Sequence, residues 1–113
     1  MRRSDSRRAQ RLGDLIMREV ASMLAVETAD PRLELVTISG VRMNADLSVA
    51  EVLYSAAGDA KRMEEISQAL RKASGFFRGK LGKRLRIKKV PELRFLHDEF
   101  LEKMVYDEFH KND

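Results

Sequence analysis

Apolar residues recur at helical spacing near the start of the chain. The positions in phase are Leu12, Leu15, Ile16, Val20, Met23 and Leu24. This spacing predicts an amphipathic helix. Ser4 or Ser6 can cap its first turn. The helix must end before Asp30, because Pro31 forces the preceding residue out of the α region.

A second helical stripe covers the middle of the chain, after Gly58 and Asp59. Its members are Met63, Ile66, Leu70, Ala73, Phe77, Leu81 and Leu85. All seven fall in one sector of a helix, so the phase continues through Ser74 and Gly75. A glycine in a helix interior costs about 1 kcal/mol, and beside a serine it favours a kink. The pattern therefore predicts two helices joined by a bend rather than by a loop.

Three stretches alternate between apolar and polar residues, as strands do. Residues 36–43 predict a first strand, and residues 48–54 predict a second. The alternation slips across Ser39 and Gly40, which predicts a bulge. A turn at residues 44–46 would join the two strands into a hairpin. A third strand starts at Val90 and Pro91, so the order is α-β-β-α-α-β and the fold class is α+β.

Size and composition indicate one domain without a membrane span. The chain has 113 residues, of which 43% are hydrophobic and none is cysteine. The absence of cysteine excludes disulfides and thiolate metal sites and suits a reducing compartment. The longest apolar run has four residues, too few for a membrane span or a signal peptide. We therefore expect an intracellular domain.

Charge is segregated along the chain. Residues 1–13 hold five arginines and one aspartate, and residues 71–94 hold ten basic residues and one glutamate. Residues 14–70 and 95–113 are acidic. We interpret residues 1–10 as a flexible basic arm, residues 11–98 as the folded domain and residues 99–113 as an acidic tail. Basic blocks of this density favour a polyanion partner, whereas the alternative is a solvated face.

The candidate RNA contacts come from both basic segments, and Lys83 and Arg86 of the second segment face away from the helical stripe. The candidates are Arg7, Arg8, Arg11, Arg78, Lys80, Lys83, Arg84, Arg86, Lys88 and Lys89. Such side chains would bind phosphates, which positions an RNA without reading its sequence. Phe76 also lies off the stripe. A buried aromatic beside the helix bend is the commoner case, and stacking on an unpaired base is the alternative.

Motifs for catalysis are weak. His97 and His110 stand near carboxylates without a third ligand at metal-binding spacing, so we expect no metal and no cofactor. Residues 75–81 are one residue short of a phosphate-binding P-loop and lie within the helical stripe. Residues 79–82 match the Gly-x-x-Gly loop of KH domains, but a loop there would break the stripe, which favours a helix.

Several segments together resemble the ribosome-binding factor A family. They are residues 30–33, 36–41, 46–50, 73–78, 81–83 and 90–95, in collinear order over about 90 residues. The resemblance implies a single KH-like type II domain, with a three-stranded sheet and helices on one face. It also implies an interhelical Ala-x-Gly kink, here Ala73, Ser74 and Gly75. The family commonly has a serine shortly after Asp98, where this chain has Phe100.

The resemblance also implies a function. It implies a cytoplasmic, non-enzymatic assembly factor that binds the immature 30S subunit and 16S rRNA and assists 5′-end maturation, above all in the cold. No membrane or small-molecule substrate is implied, and we expect a monomer. Two alternatives stay open: a KH-type binder of single-stranded or messenger RNA, and a metal-dependent processing nuclease.

Overall fold

The computed structural model describes residues 6–99, which form two α-helices, one short 3-10 helix and three strands. In chain order these are α1 (Arg7–Val26), the 3-10 helix (Pro31–Leu33), β1 (Thr37–Met43), β2 (Val49–Ser55), α2 (Ala60–Leu85) and β3 (Glu92–His97). All but Glu99 of the predicted acidic tail, and residues 1–5 of the predicted arm, lie outside the described residues.

The three strands form one mixed sheet with β2 in the centre. β1 pairs with β2 in antiparallel orientation, and β3 pairs with β2 in parallel orientation. This confirms the predicted hairpin and the α+β class. The parallel pairing requires the chain to cross over the sheet between β2 and β3, and α2 makes that crossover.

The predicted bulge in β1 is confirmed. Ile38 pairs with Tyr54 and Gly40 pairs with Leu53, so Ser39 is the extra residue. The slip keeps Ile38 and Met43 buried on the same face despite their odd spacing. The Ser39 hydroxyl donates a hydrogen bond of 2.7 Å to the Asp98 carboxylate, which ties the bulge to the end of β3.

The first helix begins earlier than its predicted domain boundary. Ser6 is the N-cap, and its hydroxyl accepts a hydrogen bond from the Ala9 amide at 3.1 Å. Residues 7–10, predicted as part of a flexible arm, therefore form the first turn of α1. Ala9 is buried in the core, which gives this turn a packing contact that the charge pattern did not reveal.

The second helix is continuous, where two helices were predicted. α2 runs through Ala73, Ser74 and Gly75 without interruption. Leu70 and Phe77, on either side of the glycine, are both fully buried, so both halves are held by the same core. That packing outweighs the cost of one helical glycine, about 1 kcal/mol. The prediction that Gly79 and Gly82 are helical is confirmed.

Both helices contribute to one core on one face of the sheet. Its fully buried members include Ile16, Val20, Met23, Ala50, Val52, Leu70, Phe77 and Leu81. On the other face of the sheet, Arg94 of β3 is exposed, and Glu51 and Leu53 of β2 are half-buried. The other face of the sheet is therefore open, as the resemblance implied.

An ion pair shapes the connection between α1 and β1. Asp30 is the N-cap of the 3-10 helix, and one of its carboxylate oxygens accepts a hydrogen bond from the Arg32 amide at 3.0 Å. The Arg32 guanidinium also binds the Asp30 carboxylate, with a closest distance of 2.6 Å. These hydrogen bonds from Arg32 lower the pKa of Asp30 to about 2.

Asp30→Asn is expected to make the free energy of unfolding depend less on pH in the acid range. Asparagine keeps the cap but removes the charge. Because the folded-state pKa lies below its ordinary value of 3.8, the contribution of Asp30 is present above about pH 4 and is lost as pH falls toward 2. The difference in thermal midpoint between wild type and Asp30→Asn should therefore narrow over that range. A difference in thermal midpoint that is as large at the lowest pH as at neutral pH would contradict this expectation.

Candidate nucleic-acid interface

An open groove lies between the first turns of α1 and the segment that connects α2 to β3. Its volume is about 1330 Å³. The β1–β2 turn closes one side through residues 45–48, and residues 87–91 form the other. The groove thus brings together the two basic segments, which are far apart in the sequence.

The wall contributed by α1 follows from helical spacing. Arg8, Arg11, Leu12 and Leu15 line the groove at steps of three and four residues, so they share one face of the helix. Leu15 is 37% exposed although it belongs to the apolar stripe. The stripe therefore serves two surfaces, since Ile16 enters the core and Leu15 borders the groove.

The opposite wall is held in place by α2. Arg86 ends the helix in the left-handed conformation, with φ 52°, which reverses the chain. A Cβ added to Gly82 would lie 3.0 Å from a methyl group of Val90, so glycine permits the close approach of the returning segment. The Arg78 guanidinium donates hydrogen bonds to the carbonyl oxygens of Val90 and Pro91, at 3.1 and 3.2 Å. Lys88 and Lys89 are thereby presented at the groove.

The groove is strongly positive. Of the described residues that line it, five are basic and one is acidic: Arg8, Arg11, Arg78, Lys88, Lys89 and Asp46. The acid is already engaged, because the Asp46 carboxylate accepts hydrogen bonds from the amide and hydroxyl of Ser48, which lower its pKa. Within residues 6–99, no ion pair holds Arg8, Arg11, Lys88 or Lys89. Four cationic side chains are therefore available to an anion.

The other predicted contacts lie elsewhere. Arg7, Lys83 and Arg86 are exposed but do not line the groove. The Lys80 ammonium lies 5.8 Å from the centre of the Phe76 ring. The predicted helix face is therefore divided between the groove and other surfaces. RNA contact by Lys83 and Arg86 stays a prediction.

Arg84 has a structural partner set that the sequence did not indicate. Its guanidinium binds the Glu27 carboxylate at 2.5 Å and the Glu19 carboxylate at 3.3 Å. The pKa of Glu27 is lowered, mainly by the hydrogen bond from Arg84. This network joins the C-terminal half of α1 to the end of α2. Arg84 therefore links the two helices. Its predicted contact with RNA would have to coexist with these ion pairs.

Phe76 is exposed, which makes the preferred prediction of a buried aromatic wrong. Phe76 is 41% exposed as a residue, whereas the adjacent Phe77 is fully buried. Phe76 borders a second, smaller cavity together with Ala73 of the predicted kink. Because consecutive helical residues point about 100° apart, only one of the two phenylalanines can face the core.

Sequence reasoning missed the apolar parts of the groove. Leu12, Leu15 and Ile87 line it beside the cations, and so does the β1–β2 turn. The spacing of Arg8 and Arg11 relative to Leu12 and Leu15 could have indicated that these leucines lie beside the cations on one helix face. The contribution of the turn depends on the tertiary fold and had no local signal.

Neither a metal cluster nor a membrane span is present in the part of the chain that the structure describes. Residues 6–99 contain no group of three or more His, Asp or Glu side chains arranged to hold a metal ion. No helix within them is both long enough and apolar enough to cross a membrane.

Comparison with known proteins points to one family. Residues 8–108 match the family model described as Ribosome-binding factor A. A protein of that name from Thioalkalivibrio sulfidiphilus (strain HL-EbGR7) is 38% identical over 99 residues, covering 88% of this chain and 77% of the relative. Another, from Staphylococcus carnosus (strain TM300), is 37% identical over 112 residues, covering 94% and 96%.

Solved structures give the same result. The crystal structure of ribosome-binding factor A from Thermus thermophilus is 32% identical, with TM-score 0.67, covering 79% of this chain and 94% of that one. The solution structure of a Thermotoga maritima protein, described as a putative ribosome binding factor A, is 29% identical, with TM-score 0.70, covering 82% and 89%. A homology model of the T. thermophilus factor, fitted into a cryo-EM map of a 30S complex, is 31% identical, with TM-score 0.65, covering 78% and 92%.

Proposed function

This chain belongs to the ribosome-binding factor A family, and we propose that it is a non-enzymatic assembly factor that binds the immature small ribosomal subunit. In this proposal it contacts 16S rRNA, acts as a monomer in the cytoplasm and assists late maturation, including processing of the 5′ end. Support comes from the similar T. thermophilus factor, whose coordinates were fitted into a map of its 30S complex.

The observation that carries the proposal is the cationic groove. Phosphate oxygens are its natural ligands, because lysine and arginine side chains converge there with little competing negative charge. The first turn of α1 adds the positive end of a helix dipole on the same side. Contacts of this kind fix the position of a folded RNA without selecting a base sequence. Recognition of an assembling subunit then depends on RNA shape and charge.

Sedimentation of a cell lysate tests this function. We expect the protein to travel with free small subunits and to leave them when the salt concentration is raised. Sedimentation with neither small subunits nor ribosomes would contradict the proposal. Binding to short single-stranded RNA without any binding to small subunits would favour the alternative of a single-strand binder.

A further inference from the structure

A second cavity borders the Arg84 network, because Glu27 of that network lines it. The segment that follows α1, the 3-10 helix and the middle of α2 line this shallow, open cavity of about 270 Å³. Its floor is apolar, formed by Leu33, Ala69 and Ala73. Lys72 and Asp30 lie at its rim, and Phe76 forms one wall. This volume is just below the range of about 300–1,000 Å³ for small-molecule sites, so it suits one planar group rather than a larger ligand.

The Phe76 wall contacts two neighbouring side chains of α2. Its ring packs edge-on against the buried ring of Phe77, with centroids 5.8 Å apart. The Lys80 ammonium lies 5.8 Å from its centre. Phe76 nevertheless stays 41% exposed. An oriented aromatic ring with an accessible surface is what stacking on a nucleobase requires.

Charge around the cavity distinguishes a base from a phosphate. Glu27 and Asp30 lie in its lining, and both are kept ionised by arginine partners that lower their pKa values. These arginines compensate the charge of both carboxylates, so the lining offers little net charge to hold an anion. Lys72, Phe76 and Lys80 follow one another at steps of four residues, so they form a row along α2 about 12 Å long. Cations thus flank the aromatic ring on both sides along the helix.

We propose that this cavity, here called the base pocket, takes one unpaired nucleobase of an RNA strand, stacked on Phe76. Lys72 and Lys80 hold the phosphates on either side of that nucleotide. The Glu27 carboxylate, which accepts one hydrogen bond from Arg84 at each oxygen, can accept another from an exocyclic amino group. The inference rests on the proposed function, since it assumes that the chain binds RNA. It adds that the protein distinguishes a single-stranded segment from a duplex, whose stacked bases cannot enter.

Binding of three Phe76 variants tests the base pocket in the full-length protein. The probes are a short single-stranded RNA of mixed sequence, the same strand annealed to its complement, and isolated small subunits. Phe76→Ala and Phe76→Leu should each weaken binding of the single strand by about tenfold, because both lose the aromatic face. Phe76→Trp should keep wild-type affinity. Leu35→Ala is the matched control, since Leu35 is also an exposed apolar residue, at 74%, and does not line the cavity.

The salt dependence of binding provides a second readout. Because the variants remove stacking and no charge, the slope of affinity against salt should stay as in wild type. Duplex binding should be the same for all variants.

Three results would overturn the inference. The first is unchanged affinity of Phe76→Ala for the single strand. The second is full binding of the single strand by Phe76→Leu, which would show that the contact does not depend on an aromatic face. The third is a wild-type protein that binds subunits but not the single strand. Conversely, Phe76-dependent binding of the short RNA without any binding to subunits would support the base pocket and contradict the assembly-factor proposal.

Discussion

Exchanging both Lys88 and Lys89 for glutamate is expected to lower the affinity for small ribosomal subunits by about 100-fold at moderate salt. Each exchange removes one attraction to phosphate and adds one repulsion. Both residues are exposed and lie on a segment that Arg78 holds in place through backbone carbonyls. Folding should therefore be unaffected, and the loss should appear in equilibrium binding alone.

A charge-matched variant separates the groove from net charge. Lys61→Glu/Arg71→Glu makes the same change in total charge at two exposed positions of α2 that line neither cavity. This variant should bind subunits within a few-fold of wild type. Lys83→Glu/Arg86→Glu, on the exposed helix face outside the groove, should give an intermediate loss. Equal losses for all three pairs would show that the groove has no special role.

Phe77→Ala is expected to cost about 3–5 kcal/mol of unfolding free energy. Phe77 is fully buried, and its ring lies 5.8 Å from that of Phe95 on β3. It thus joins the middle of α2 to the sheet. A domain of this size has only about 5–15 kcal/mol of net stability, so the variant should be close to unfolded at growth temperature. Urea denaturation followed by circular dichroism measures the change.

The adjacent residue provides the control. Phe76→Ala removes the same atoms from a side chain that is 41% exposed, so it should cost less than about 1 kcal/mol. Comparable losses for the two variants would mean that Phe76 is buried in solution. That result would also remove the basis for the base pocket.

The core and the strands could be predicted because they repeat at regular spacing. The alternation around Ser39 located the bulge, and the stripe from Met63 to Leu85 kept its phase through Gly75. The same stripe could have indicated one continuous helix. The prediction of two helices gave too much weight to one glycine, whose cost is small beside the burial of Phe77.

The groove could be predicted only in part. Charge segregation identified both basic segments. Their proximity in the fold depends on the chain reversal at Arg86 and on the close approach of Val90 to α2 that Gly82 permits. These are tertiary contacts without a periodic signal. Arg84 illustrates the limit: its sequence neighbours suggest an RNA contact, whereas its spatial neighbours are Glu19 of α1 and Glu27, the residue that follows that helix.

The salt dependence of subunit binding tests the role of the groove most directly. Affinity should be measured over a series of salt concentrations for wild type and for Lys88→Glu/Lys89→Glu. If both lysines contact rRNA phosphates, the slope of log affinity against log salt should become shallower by about 1.5 in the variant. Parallel lines with the wild-type slope would show that these cations touch no phosphate and would contradict the account.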